Sequence, residues 1–156
     1  MNNQLECLIC QRIDLIKKSL NPYFVAELKT GYVVLGDSQY FKGYTLFLSK
    51  IHTSEIHLLP SDTKKIFLEE MSFVAEAVYH LFKPKKLNYE LLGNTDEHLH
   101  WHIFPRYGTD PQPDMPIWVI DKKIQNAPEY VPTSEMLREV TKKLADEINK
   151  IQPQRI

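Results

Sequence analysis

The sequence predicts an α+β fold on three observations. These are short β-rich runs joined by connections too brief for a crossover, one long amphipathic helix in mid-chain, and another near the C-terminal end. Leu5 to Leu20 places Leu8, Ile9, Ile13, Ile16 and Leu20 at a loose helical spacing that Asn21-Pro22 brings to a stop. Tyr23 to Leu28 and Tyr32 to Leu35 are rich in β-branched and aromatic residues, and Lys29-Thr30-Gly31 between them makes a hairpin. Tyr44 to Ser49 is a third strand after the looser Gly36 to Gly43 stretch. Pro60-Ser61-Asp62 caps a helix in which Ile66, Phe67, Met71, Val74, Val78 and Leu81 recur at three- and four-residue intervals until Pro84. Leu87 to Leu92 and His98 to Phe104 are two more strands, bringing the sheet to about five. The short connection Gly93 to Glu97 makes those two antiparallel neighbours. Residues 108 to 132 hold five of the ten prolines and read as an irregular surface loop, interrupted by the apolar piece Ile117 to Ile120. A last helix starts at Thr133 or Ser134 and carries Leu137, Val140, Leu144, Ile148 and Ile151 on one stripe.

The 156 residues fit one domain, 1–156, with a core over about 5–120 and a C-terminal extension whose helix covers about 133–151. Charged residues at 25% and hydrophobic ones at 43% are the proportions of an ordinary globular chain. A formal net charge of -1 argues against generic nucleic-acid binding, which needs lysine and arginine massed against phosphates. Met1-Asn2-Asn3-Gln4 leads into no apolar signal segment, and no run approaches the ~20 apolar residues of a membrane span, so the expected location is the cytoplasm. There, Cys7 and Cys10 are reduced thiols or metal ligands rather than a disulfide.

The densest chemistry lies in His98-Leu99-His100-Trp101-His102-Ile103-Phe104-Pro105-Arg106. Alternation at period two puts the three imidazoles on one face of a half-buried strand while Leu99, Trp101 and Ile103 enter the core. Imidazole is the side chain that offers an unprotonated nitrogen at neutral pH without large tuning, which suits attack on phosphorus. A solvated histidine cluster stands beside that reading, as does a metal site, which lacks an obvious carboxylate partner although Asp96 and Glu97 are close in sequence.

The run His98 to Phe104 resembles the signature of the histidine triad (HIT) family of nucleotidyl hydrolases and transferases, and Pro105-Arg106 continues it. Cys7-Leu8-Ile9-Cys10 resembles the Cys-x-x-Cys that opens one branch of the family. Gly43 to His52 is similar to its Gly-His-Thr-Leu-Val-Ile-Pro-Lys-x-His stretch, with Tyr44 in place of the usual histidine and Ser49 in place of the usual proline. Gly93-Asn94-Thr95 stands where members carry a glycine, an amide and a hydroxyl.

The resemblance implies a HIT-like antiparallel sheet crossed by a long helix, and a homodimer. The apolar segment Ile117 to Ile120, without a place in the strand pattern, also suggests the dimer. The implied reaction is cleavage of a phosphoanhydride or phosphoramidate at the α-phosphate of a nucleotide, a purine by family preference, as in a dinucleoside polyphosphate. His100 would be the nucleophile and His102 its neighbour on the phosphate oxygens and leaving group, while His98 would support His100 or serve a metal. A nucleotidyl transferase of the same chemistry and a nucleotide-binding module with incidental turnover are the alternatives. Asn94 and Thr95 would donate to nonbridging oxygens, or form an ordinary turn. Asp37 would accept from ribose hydroxyls, and Arg106 would share the histidine face or be a surface arginine. Tyr23, Phe24 and Leu35 would wall the base, or pack the core. In the Cys-x-x-Cys branch Cys7, Cys10, His52 and His98 would hold a structural zinc; the plain reading of the two cysteines is as small thiols.

Overall fold

The computed structural model describes residues 6–151. Met1 to Gln4, and Leu5 at the predicted start of the first helix, lie outside the described residues. The fold is α+β, as the element pattern predicts. Helix α1 covers Leu8–Lys17, followed by strands β1 (Phe24–Glu27), β2 (Gly31–Leu35) and β3 (Thr45–Ser49). Helix α2 covers Ser61–Phe82, β4 Lys86–Glu90 and β5 His100–Arg106. A short helix α3 (Lys122–Gln125) precedes the C-terminal helix α4 (Ser134–Ile151).

The five strands form one antiparallel sheet in the order β1-β2-β3-β5-β4. The hairpin and the pairing of β4 with β5 follow the sequence expectation, because both connections are too short for anything else. One face carries Val33, Leu35, Phe47 and Ile103 against Phe67, Val74 and Val78 of α2. The rings of Phe47 and Phe67 stack at 4.9 Å. Helix α4 adds Leu137, Leu144, Ile148 and Ile151 to the same core and packs on α2 and β1. The opposite face carries Tyr32, Val34 and Leu48, covered in part by Ile9, Ile13 and Ile16 of α1. In register, Leu48 pairs with His100 and Leu46 with His102, so the histidines fall on this second face, away from α2.

Element ends shift by one to three residues from the sequence reading, and three differences bear on the site. Strand β5 begins at His100 rather than His98, because the His98 N–H donates to the Asp96 carbonyl at 2.7 Å and the Leu99 N–H to Thr53 at 2.6 Å. Strand β4 ends at Glu90 instead of Leu92. The 117–120 piece is a single 3-10 turn whose Ile117 and Ile120 are buried against Phe41 and Phe104, leaving Trp118 and Val119 outside. It therefore has a place within the chain's own core, and burial in a dimer is not needed to explain it. No helix among the described residues is long and apolar enough to cross a membrane.

Candidate active site and metal cluster

The ladder between β3 and β5 holds the backbone under His100 and His102 fixed, and hydrogen bonds then set each ring. His100 Nδ1 lies 2.5 Å from the carbonyl oxygen of His98. A carbonyl only accepts, so the ring proton sits on Nδ1 and Nε2 carries the free lone pair. His102 is held the other way. Its Nδ1 lies 2.6 Å from the Tyr44 hydroxyl. Burial pushes the Tyr44 phenol above its ordinary range, so it stays protonated and donates to Nδ1. Burial, then the charges of His100 and Lys122, push His102 down to about 3. His102 is thus neutral, with its proton on Nε2. The two rings, 4.5 Å apart between centroids, offer a lone pair and a donor side by side.

Tyr44 is placed by its neighbours. Gly43 before it adopts φ 89°, and a Cβ there would come within 2.7 Å of the Phe82 ring, so only glycine fits this entry into β3. The Tyr44 ring stacks on Phe104 at 4.1 Å.

Two cavities meet at His100 and His102. The first, about 470 Å³, is lined by Asn94, Thr95, Asp96, Glu90, Trp118 and Lys122 among others. The second, about 270 Å³, is lined by Tyr23, Leu35, Asp37, Arg12 and Asn126 among others. Asp37 accepts from Arg12 Nη2 at 2.7 Å at this cavity's edge. Phe24 does not line it; it packs with the α1 side of the sheet.

Arg106 follows the parity of the histidines, and β5 continues through Pro105 to reach it, but it lines neither of these cavities. The residue is 3% exposed, and its guanidinium pairs with Asp110 at 3.0 Å, Asn88 at 3.0 Å, and the carbonyls of Met115 and Gln112. It holds the proline-rich loop onto β4 and β5 and is not a surface arginine.

His98 turns to a separate cluster. Cys7 Sγ, Cys10 Sγ, His52 Nδ1 and His98 Nδ1 all lie within 4.8 Å of one another, a group able to coordinate a metal ion. Cys10 Sγ is 3.3 Å from His52 Nδ1, both sulfurs are 3.5 Å from His98 Nδ1, and the two nitrogens are 3.2 Å apart. Tetrahedral zinc with ordinary bonds to sulfur and nitrogen has edges of roughly 3.3–3.8 Å, so these spacings fit. The far side of the ring is held as well: the His98 Nε2–H donates to the Ser49 carbonyl at 2.8 Å, leaving Nδ1 as ligand. Burial, then the hydrogen bond and charge of Cys7, push the Cys10 thiol up to about 11, so a thiolate there calls for a cation beside it. Cys7 also caps α1, its sulfur accepting from the Cys10 N–H at 3.4 Å. Among the described residues His100 and His102 belong to no such metal-holding group, which leaves the metal reading of the triad itself unsupported.

Glu90, Tyr44, Trp118 and Lys122 were not singled out by the sequence as contributors to this cavity. Glu90 is the one with a legible signal: antiparallel pairing of its strand with the triad puts every second residue of β4 on the histidine face.

Comparison with known proteins agrees with this geometry. The family model described as HIT domain matches residues 19–109. "Protein hit" of Bacillus subtilis (strain 168) is 33% identical over 76 residues, which are 46% of this chain and 52% of that protein, so the match spans about half the relative's length. Among solved structures, a histidine triad protein from Marinobacter aquaeolei VT8 has TM-score 0.69 and 25% identity, over 86% of this chain and 95% of that one. A Zn-bound histidine triad family protein from Mycobacterium smegmatis has TM-score 0.66 and 18% identity, over 98% and 100%.

Proposed function

The chain belongs to the HIT domain family, and from that membership we propose that it is a nucleotide hydrolase, cleaving a phosphoanhydride or phosphoramidate at the α-phosphate through a nucleotidyl adduct on His100. The observation that carries this reading is the opposed pair of ring tautomers, with the His100 lone pair beside the His102 N–H where two cavities meet.

The His98 carbonyl holds the His100 Nδ1–H, so in the neutral ring the lone pair is on Nε2, the atom that attacks phosphorus. The His102 Nε2–H donates to a nonbridging oxygen as charge builds there, joined by Asn94 and Thr95 from the loop ahead of β5. Asp37 at the smaller cavity is set to accept from ribose hydroxyls, with Tyr23 and Leu35 as apolar wall for a base, a purine by family preference. Passing the nucleotidyl group to another phosphate instead of water would make the protein a transferase, and product analysis separates the two.

Cys7, Cys10, His52 and His98 would hold zinc, the metal bound in the Mycobacterium smegmatis protein of the same fold. With four protein ligands zinc has no open position for substrate, so its contribution is to tie α1 to the segment that carries the triad. The proposal includes a second copy of the chain as partner, for which the exposed Trp118 and Val119 offer apolar surface; sedimentation at micromolar concentration tests it.

The mechanism is tested by quenching a reaction with α-labelled nucleotide. Acid-labile, base-stable label is expected on the His100 peptide, and His100→Ala should abolish turnover while leaving the fold intact. Full activity in that variant, or label elsewhere, would overturn the mechanism.

A further inference from the structure

One acidic side chain in the larger cavity has no role in the chemistry above. Glu90 closes β4 and pairs with His102 across the ladder, so its side chain emerges on the histidine face. Side chains opposite one another on such a ladder have Cβ atoms about 5 Å apart, within reach of a common ligand. Glu90 is 8% exposed and lines the cavity together with His100 and His102. Its Oε2 is buried with no hydrogen-bond partner among the described residues.

Arg106, whose charge reaches Glu90, makes none of its hydrogen bonds to it; they go to Asp110, Asn88 and two carbonyls. Burial pushes the Glu90 carboxyl up, with Arg106 opposing only in part. Folded proteins pair nearly all buried polar atoms, and an exception inside a catalytic cavity marks a group whose partner arrives with the ligand. That ligand is anionic. An ionised carboxylate would repel it, whereas a protonated carboxyl, the form that burial favours, presents an O–H to it.

We propose that the Glu90 carboxyl is the proton donor to the atom that leaves phosphorus, and the acceptor of the proton from water in the return step; this rests on the hydrolase reading above. In the first step His100 Nε2 forms the P–N bond with its lone pair. The bond from phosphorus to the leaving oxygen or nitrogen breaks with its electron pair going to that atom, and the Glu90 proton moves onto it. In the second step water adds to phosphorus as its proton passes to the Glu90 carboxylate. The P–N bond then breaks, and its electron pair returns to His100 Nε2. The carboxyl and the imidazole are both restored. Such a donor matters most when the departing atom is a poor leaving group, an amine or an alkoxide, and little when it is already a stable anion.

The test uses a series of adenosine 5′-monophosphate derivatives that differ only in the leaving group, from p-nitrophenol through phenol to an alkylamine. Leaving-group release is followed in single turnovers by the wild-type protein and Glu90→Gln, with labelling of His100 measured alongside. Glu90→Gln should lose about 100-fold or more on the alkylamine and about threefold or less on p-nitrophenol. An equal loss across the series would reduce Glu90 to a structural role and overturn the proposal while the hydrolase reading stands, as would full rates on every substrate. A wild-type protein that forms no His100 adduct overturns the reading and the proposal together.

Discussion

His102 is a residue whose environment makes it behave unlike a free imidazole, and stability should report it. Its ordinary value is 6.5, while burial and then the charges of His100 and Lys122 bring it to about 3. As pH falls below 6.5 the unfolded chain takes up a proton that the folded chain refuses. Stability is therefore lost progressively between about pH 6.5 and 3, at up to about 1.4 kcal/mol per pH unit from this residue. Urea titrations should show a smaller loss for His102→Asn than for wild type between about pH 7 and 4; parallel curves would contradict the assignment. Tyr44 is the partner that keeps the His102 proton on Nε2. Tyr44→Phe should therefore lower kcat by about tenfold with little change in KM. Nitrogen NMR of His102 should show the Nε2–H form lose its dominance, and an unchanged tautomer with unchanged kcat would refute this role.

At the scale of elements, Glu70 of α2 supplies the hydrogen bonds that hold the β1–β2 turn to the helix. The Glu70 carboxyl, 5% exposed on a face otherwise apolar, accepts from the N–H groups of Lys29 at 2.7 Å and Thr30 at 2.9 Å, and from the Thr30 hydroxyl. Removing it leaves buried backbone donors without acceptors. Glu70→Ala should cost about 3 kcal/mol, read from the denaturation midpoint, and Glu70→Gln less because it keeps one acceptor. A Glu70→Ala protein as stable as wild type would show that water replaces the carboxyl. The loop from 107 to 120 has its own anchor in Arg106, whose five contacts or stacking partners include the Phe41 ring at 5.1 Å from the guanidinium carbon.

For the whole molecule the decisive connection is the four-residue cluster, which joins α1 to the chain after β3 and to the approach to β5. Metal bound only by the folded form adds its binding free energy to folding. Purified protein should contain about one zinc per chain, and Cys7→Ser or Cys10→Ser should lower Tm more than it lowers the catalytic rate per folded molecule. Metal analysis of protein purified without chelator that finds no zinc would remove the assignment.

The elements were largely legible in the sequence because each is a local pattern. The spacing of Phe67, Met71, Val74 and Val78 requires a helix, the brevity of Gly93 to Glu97 requires antiparallel neighbours, and Leu99 and Ile103 are buried as the alternation demands. The triad and the cysteine pair were visible as motifs for the same reason. Local pattern could not say that His98 leaves the strand for the cysteines, that Tyr44 takes hold of His102, or that Glu90 stands unpaired opposite it. Nor could it say that Arg106 is committed to a loop. Periodicity assigns a side chain to a face, but which donor meets which acceptor is decided by the register and packing of segments tens of residues apart. Burial then fixes which atoms keep their protons, and only the assembled tertiary structure determines that burial.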